Sequence, residues 1–169
     1  MKGLELREAN SQDRVPIHRM LELYQHDLSD IWDQDLDAQG EYGYALDRYG
    51  SSGACKAFVA CVGGHYAGFA LVDRESKVGK DAYWMDQFFI LKKYRGQGIG
   101  GAVARTVFAA LPGAWEVGQM ARNLPARKFW RRVIAEYTGG SYVEHELAGG
   151  WWEGFVQCFQ SPAKQQPNP

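Results

Sequence analysis

Apolar positions change their period several times along the chain, and each change marks an expected element. Leu4 to Ala9 alternates weakly and predicts a short strand. From Ser11, which can cap a helix, Ile17, Met20, Leu21, Tyr24, Leu28 and Ile31 recur at three- and four-residue steps. That spacing predicts a helix to about Asp33. The next stretch, DQDLDAQGEYGYALDRYGSSG, is polar and glycine-spaced, with one helical turn expected around Tyr44 to Tyr49. Ala54 to Val62 and Tyr66 to Val72 are apolar runs joined by GGH, a hairpin signal. Tyr83 to Leu91 predicts the fourth strand. A glycine-rich turn follows, then an Ala/Val-rich helix that Pro112 and Gly113 end. Trp115 to Met120 predicts a strand. Asn123 to about Glu136 predicts a helix, because Pro125 is tolerated in a first turn. Ser141 to Leu147 and Trp151 to Phe159 predict two last strands, joined by AGG. No internal repeat interrupts the series. The expected organisation is one domain over residues 1–160 and a disordered tail over 161–169.

Composition narrows the class. The 169 residues suffice for one sizeable core and are too few for two ordinary domains. Hydrophobic residues make up 46% and charged residues 23%, the balance of a soluble globular protein. A net charge of −1 gives no reason to expect nucleic acid or an anionic membrane surface as partner. No apolar run approaches the ~18 residues of a membrane helix. The cysteines, Cys55, Cys61 and Cys158, are odd in number and form no C-x-x-C pair. The start MKGLELREANSQDR has no apolar signal core, so a cytoplasmic location is expected. His18, His26, His65 and His145 fall on separate elements, and no metal is expected. Six tryptophans suit a bulky core, or an aromatic cleft.

The candidate chemistry lies in ILKKYRGQGIGGAVARTVFAAL, residues 90–111. Gly96, Gly98, Gly100 and Gly101 crowd the start of a helix, where each glycine costs about 1 kcal/mol relative to alanine. A glycine-rich turn between a strand and a helix N-terminus exposes backbone N–H groups with no side chains in the way, and the helix dipole favours anions there. This is the composition of a phosphate cradle. It is not a Walker loop, since no Lys-Ser or Lys-Thr follows the glycines. It is not a dinucleotide fingerprint either, because Gly96-x-Gly98-x-Gly100 has the wrong step and arrives on the fourth strand. What remains is Arg95-Gly96-Gln97-Gly98-Ile99-Gly100, an Arg-x-x-Gly-x-Gly string.

That string, after an apolar strand, resembles the pyrophosphate-binding motif of the GNAT superfamily of acyl-CoA-dependent N-acetyltransferases. Further on, NLPARKFW is similar to its second signature, Asn-x-x-Ala-x-x-Phe-Tyr, with Asn123, Ala126 and Phe129 matching in type and spacing. The order of elements also fits over nearly the whole ordered chain. The resemblance implies an α+β fold, a single GNAT-like domain whose central, mostly antiparallel mixed sheet of about seven strands is flanked by helices. It implies acetyl-CoA as co-substrate and a small-molecule amine as acceptor, and it leaves a homodimer open. The implied cofactor surface comprises Phe89, Ile90 and Leu91 at the strand end, then Arg95, Gly96, Gln97, Gly98, Ile99 and Gly100. Asn123, Phe129 and Trp130 on the following helix complete it. Arg95 would add charge, and a backbone N–H near Phe89 or Ile90 would meet the oxyanion. Asn123 serves equally as a helix cap, and Phe129 packs under the cofactor or in the core.

One position departs from the pattern. Trp130 stands where many family members carry the tyrosine that protonates the leaving thiolate, and an indole N–H is no useful acid. Tyr137 is the nearest alternative hydroxyl in sequence, or else a packing residue at the helix end. A thiol of pKa near ~8.5 also leaves unassisted at modest cost. For the base that deprotonates the incoming amine, Asp86 is the one carboxylate in the body of the fourth strand, and Glu116 on the next strand is the second candidate. Asp27, Asp30, Asp33, Asp35, Asp37, Glu41 and Asp47, interleaved with Trp32, Tyr42, Tyr44 and Tyr49, occupy the segment that in this family helps form the acceptor cleft. Such a lining suits a cationic amine; a solvated helix end with ordinary loop packing is the competing account. A non-catalytic acyl-CoA-binding module is the alternative function, motivated by Trp130 and Gln87 at places where catalytic side chains would be sought.

Overall fold

Asn10 sets the start of the first helix. Its side chain accepts the N–H of Gln12 at 2.9 Å while the Asp13 carboxylate accepts the N–H of Asn10 at 2.8 Å. This reciprocal cap opens a 3-10 turn, Ser11–Asp13, that runs into α1, Arg14–Trp32. The cap is therefore one residue earlier than Ser11. Ile17, Met20 and Leu21 form the buried stripe of α1, and the helix stops at Asp33, whose left-handed backbone (φ 52°) sends its N–H to the Ser29 carbonyl.

The structure, a computed structural model, describes residues 3–49, 55–149 and 152–163. Among these, seven strands follow the expected sequence: β1 Leu4–Glu8, β2 Lys56–Val62, β3 His65–Asp73, β4 Tyr83–Ile90, β5 Gly113–Met120, β6 Tyr142–Leu147 and β7 Gly154–Ser161. They form one open sheet in the order β1-β2-β3-β4-β5-β7-β6. β4 and β5 run parallel, pairing Tyr83 with Trp115 and Trp84 with Glu116. The β1–β2, β2–β3, β5–β7 and β6–β7 pairs are antiparallel. Helices α2, Ile99–Ala110, and α3, Leu124–Thr138, complete an α+β architecture of the expected kind.

The described residues pack as two units, one drawn from the spans 1–72 and 87–100, the other from 73–86 and 101–169. The first is built on α1 residues Ile17, Met20 and Leu21 against Val59, Phe69, Leu71 and Phe89, with Leu46 and Tyr49 closing the cluster. Gly68 on β3 brings a neighbouring backbone close, since a Cβ there would fall 2.2 Å from the Phe89 carbonyl oxygen. The second unit centres on Phe108, whose ring lies 4.8 Å from Trp115 and 4.9 Å from Phe159. Trp84, Trp115 and Trp130 are all buried, so three of the five described tryptophans serve the core.

Some boundaries differ from expectation. Residues 47–49 form a turn rather than a helical turn over 44–49, closed by the Tyr49 N–H on the Leu46 carbonyl. β4 ends at Ile90, and Lys92–Tyr94 makes a 3-10 turn that no apolar period marks. β7 begins at Gly154 and includes Ser161, which is buried under Phe108 and bonded to its carbonyl at 2.7 Å. Ser161, expected in the tail, thus belongs to β7, and residues 164–169, like Ala54 and Trp151, lie outside the described residues. Among the described residues no helix is long and apolar enough to cross a membrane.

Candidate functional site

The glycine turn is set up by the residues before it. The Leu91 N–H bonds to the Ala67 carbonyl at 2.9 Å, the 3-10 turn buries Tyr94, and Arg95 is extended. Gly96 and Gly98 then adopt φ of 73° and 77°, a region that favours glycine. α2 opens directly afterwards at Ile99, whose own side chain is buried. A Cβ at Gly96 would meet no atom within 4 Å, so the space beside that residue is open. The first N–H groups of a helix have no intrahelical partners. Open space beside N–H donors at a positive helix end is what binding an anion requires. Gln97 faces elsewhere, donating its side-chain N–H to the Lys93 carbonyl at 2.8 Å.

Arg95 is held by two neighbours. Its Nε donates to the Ile90 carbonyl at 2.6 Å, and an Nη donates to the Asp27 carboxylate of α1 at 2.7 Å. Lys92 approaches the same carboxylate at 3.2 Å. Burial pushes the Asp27 carboxyl upward, but the hydrogen bonds and charges of Arg95 and Lys92 outweigh it and hold the group below its ordinary value. Asp27, expected in the acceptor lining, is thus committed to Arg95 and Lys92.

On β4, Asp86 and Phe88 are half-buried while Gln87, Phe89 and Ile90 are buried. The Gln87 amide lies 3.4 Å from the Tyr44 hydroxyl, and its Oε1 is buried with no hydrogen-bond partner among the described residues. The other base candidate has a different job. Glu116 is 1% exposed, and its oxygens accept the backbone N–H groups of Lys77, Val78 and Gly79. A carboxylate so filled anchors the loop between β3 and β4 and has no lone pair directed at an amine. Tyr137 likewise shares a 2.7 Å hydrogen bond with Ser161 Oγ and packs 5.4 Å from Phe108, as a packing residue does.

In the second unit, Asn123 caps α3, its Oδ1 accepting the Ala126 N–H at 3.2 Å, with Pro125 in the first turn. Trp130 is 5% exposed and set between Phe129 and Phe108, with ring centroids at 5.0 and 6.2 Å. The position of the missing tyrosine is therefore a core position here. Arg127 and Arg131 of α3 both reach Glu144 of β6, which also accepts the Gln157 amide of β7. Sequence reasoning misses this network because its members are apart in the chain and look like surface charge singly.

The acid-rich segment is less uniform than its composition suggests. Asp47 pairs with Arg14, and Asp37 accepts the N–H groups of Gln39 and Glu41 to close its own loop. Asp30, Asp33 and Asp35 are exposed, as is Trp32 at 45%. The Tyr42 hydroxyl meets His26 Nδ1 at 3.2 Å, while Tyr44 packs against the α1 core. Among the described residues no group of three or more His, Cys, Asp or Glu could hold a metal.

Comparison with known proteins agrees with the sequence motif. The model of the acetyltransferase (GNAT) family matches residues 17–134. Among solved structures, an acetyltransferase from Thermus thermophilus is similar at a TM-score of 0.67 and 14% identity, over 95% of this chain and 99% of that one. An acetyltransferase from Salmonella typhimurium, solved with its cofactor acetyl-CoA, is similar at 0.65 and 13%, over 99% of both chains. The ribosomal-protein-S5-alanine acetyltransferase of Vibrio fischeri is similar at 0.65 and 16%, over 99% of this chain and 97% of that one. At such identities the likeness concerns the fold. No curated protein matches the sequence.

Proposed function

Because the chain belongs to the acetyltransferase (GNAT) family, and is thus an acyl-CoA-dependent acyltransferase, we propose that it transfers the acetyl group of acetyl-CoA to a small cationic amine by direct attack. The observation that carries this reading is the glycine turn at the start of α2, where Gly96 and Gly98 take positive φ and a Cβ at Gly96 would meet nothing within 4 Å, as a pyrophosphate cradle would require. Acetyl-CoA supplies an activated thioester. The residues assigned to hold it are the turn 95–100, chiefly through backbone N–H groups, with the β4 end at Phe89 to Leu91 alongside.

Asp86 is assigned as the base. Of the two carboxylates considered, Glu116 is filled by backbone donors, whereas Asp86 lies half-buried on β4. Taking a proton from the ammonium form frees the lone pair that attacks the thioester carbonyl. The negative charge that then develops on oxygen falls to a backbone N–H near Phe89 or Ile90. With Trp130 in the core and Tyr137 bonded to Ser161, the thiolate leaves without a tyrosine acid. On the acceptor side, exposed Asp30, Asp33 and Asp35 beside Trp32 support a cationic amine. Three free thiols, Cys55, Cys61 and Cys158, support a reducing cytoplasm.

A thiol-release assay with acetyl-CoA and a panel of cationic, neutral and anionic amines tests the proposal. Release above hydrolysis background is expected with cationic amines first. Acetyl-CoA binding with no release across the panel returns the chain to a binding module.

A further inference from the structure

The guanidinium of Arg95 is held on two sides at once. Nε donates to the carbonyl of Ile90, the last residue of β4, and an Nη donates to Asp27 on α1. The same guanidinium lies 5.2 Å from the Phe89 ring centroid. Arg95 is also the residue through which the chain enters the glycine turn. One planar fork therefore fixes the turn against the strand end, and Asp27 fixes the fork. Asp27 is suited to this, being 19% exposed on its side chain and anchored again by Lys92 at 3.2 Å.

The geometry points to Asp27 as a positioning residue for the acetyl-CoA cradle, acting through Arg95 to set where the turn's N–H groups stand relative to Ile90. The inference rests on the cofactor reading of the turn. Two effects oppose each other when Asp27 is lost. Arg95 and Lys92 would be freed to attract phosphate, but their side chains are 43% and 78% exposed, and exposed charges act weakly and are screened by salt. Against that, hydrogen bonds from backbone N–H groups to a charged phosphate are strong and weaken steeply once their geometry is lost. Position outweighs charge, so removal of Asp27 weakens cofactor binding.

The test is calorimetric binding of acetyl-CoA to the wild type, Asp27→Asn, Arg95→Lys and the double variant, at low and high salt. Asp27→Asn keeps the shape and removes the charge. Arg95→Lys keeps the charge, but one ammonium cannot span both the Ile90 carbonyl and Asp27. Each single change is expected to raise Kd about tenfold at either salt, with the double variant no worse than the singles because both break one device. KM for the amine should stay put. Asp27→Glu should recover part of the loss. Unchanged or tighter binding in Asp27→Asn overturns the inference, as does a lowered melting temperature with Kd unchanged, which is what a merely structural ion pair would give. Should Asp27→Asn not fold, an unchanged Kd in Arg95→Lys overturns it alone. Gly100→Val, read beside its melting temperature, separates this from the cofactor reading, because position 100 lies in the first turn of α2. Full affinity in Gly100→Val sinks the cradle itself. Lost affinity there with wild-type Kd in Asp27→Asn and Arg95→Lys sinks only the role of Asp27.

Discussion

The carboxylate of Glu116 on β5 accepts the backbone N–H of Lys77 at 2.6 Å, and through that bond the strand holds a loop far back in the chain. Val78 and Gly79 donate to the same carboxylate. A buried acid that serves three donors cannot be altered cheaply, since each bond to a charged group is worth about 1.5–3 kcal/mol net. Glu116→Gln keeps one acceptor oxygen and should lower stability by about 2–3 kcal/mol. Chemical denaturation checks the loss. The pH profile of kcat should keep its shape, whereas loss of its acidic limb would make Glu116 the base.

Gln87 poses the opposite case. Its Oε1 is buried without a partner among the described residues, a state that costs about 1–3 kcal/mol. Gln87→Leu removes that burden at similar volume, so the variant should melt higher than the wild type. A lower melting temperature would show that the amide is satisfied in solution, for instance by an internal water.

Trp130→Phe should disturb packing and little else. The indole is 5% exposed among Phe108 and Phe129, so the smaller ring leaves a void and stability should fall by about 1–2 kcal/mol. A positioned general acid contributes roughly 100-fold or more. A kcat loss of that size in a folded Trp130→Phe variant would restore the position to the chemistry.

Acid should unfold the protein through two paired carboxylates. The hydrogen bond from Arg7 does most to hold the Asp13 carboxyl well below its ordinary value; burial pushes the other way, and Asn10 and Tyr66 add to the fall. Glu144 is lowered to about 2, chiefly by the hydrogen bond from Arg131, with burial opposing and Arg127 and Gln157 adding to the fall. Both groups are depressed in the folded state, so their stabilisation is complete above the ordinary carboxylate range and disappears as pH falls through the folded values. Melting temperature should drop between about pH 4.5 and pH 2, the span from Glu144's ordinary value to its folded one. Glu144→Gln should be less stable at pH 7 and should flatten that drop. An unchanged slope would mean the Arg–Glu144 network contributes nothing.

These cases show where sequence is informative. Periods of two and of three to four locate the seven strands and three α-helices of the described residues, because burial of one face imposes them locally. The glycine turn is legible for the same reason, since positive φ at Gly96 and Gly98 is a local demand. Pairings across the chain are not. Asp27 and Arg95 are 68 residues apart and Lys77 and Glu116 are 39, and nothing in the residue types says which acid meets which donor. Ser161 reads as tail because Ser-Pro is a breaker, yet its hydroxyl is fixed by Phe108 and Tyr137. Tyr137 and Trp130 read as candidate chemistry because aromatic residues look alike in a helix pattern whether they face a core or a ligand.

Fewer acids are available to an amine acceptor than composition suggests. Asp27 and Asp47 are held in ion pairs, so the collective charge offered to a cationic amine falls to the exposed set around Asp33, Asp35 and Asp37. Exposed pairs contribute only about 0.2–1 kcal/mol each, and no single change need register. Replacing all three with Asn is structurally mild. Asn tolerates the left-handed backbone that Asp33 adopts, and an Asn at position 37 retains the oxygen that accepts the Gln39 and Glu41 N–H groups. The triple variant should therefore fold normally and raise KM for a cationic amine severalfold, more at low salt than at high, with acetyl-CoA affinity unaltered. Initial rates at two ionic strengths give the comparison. Equal KM for wild type and variant at low salt would reduce these acids to the solvated end of α1, and the acceptor would then have to be sought among neutral amines.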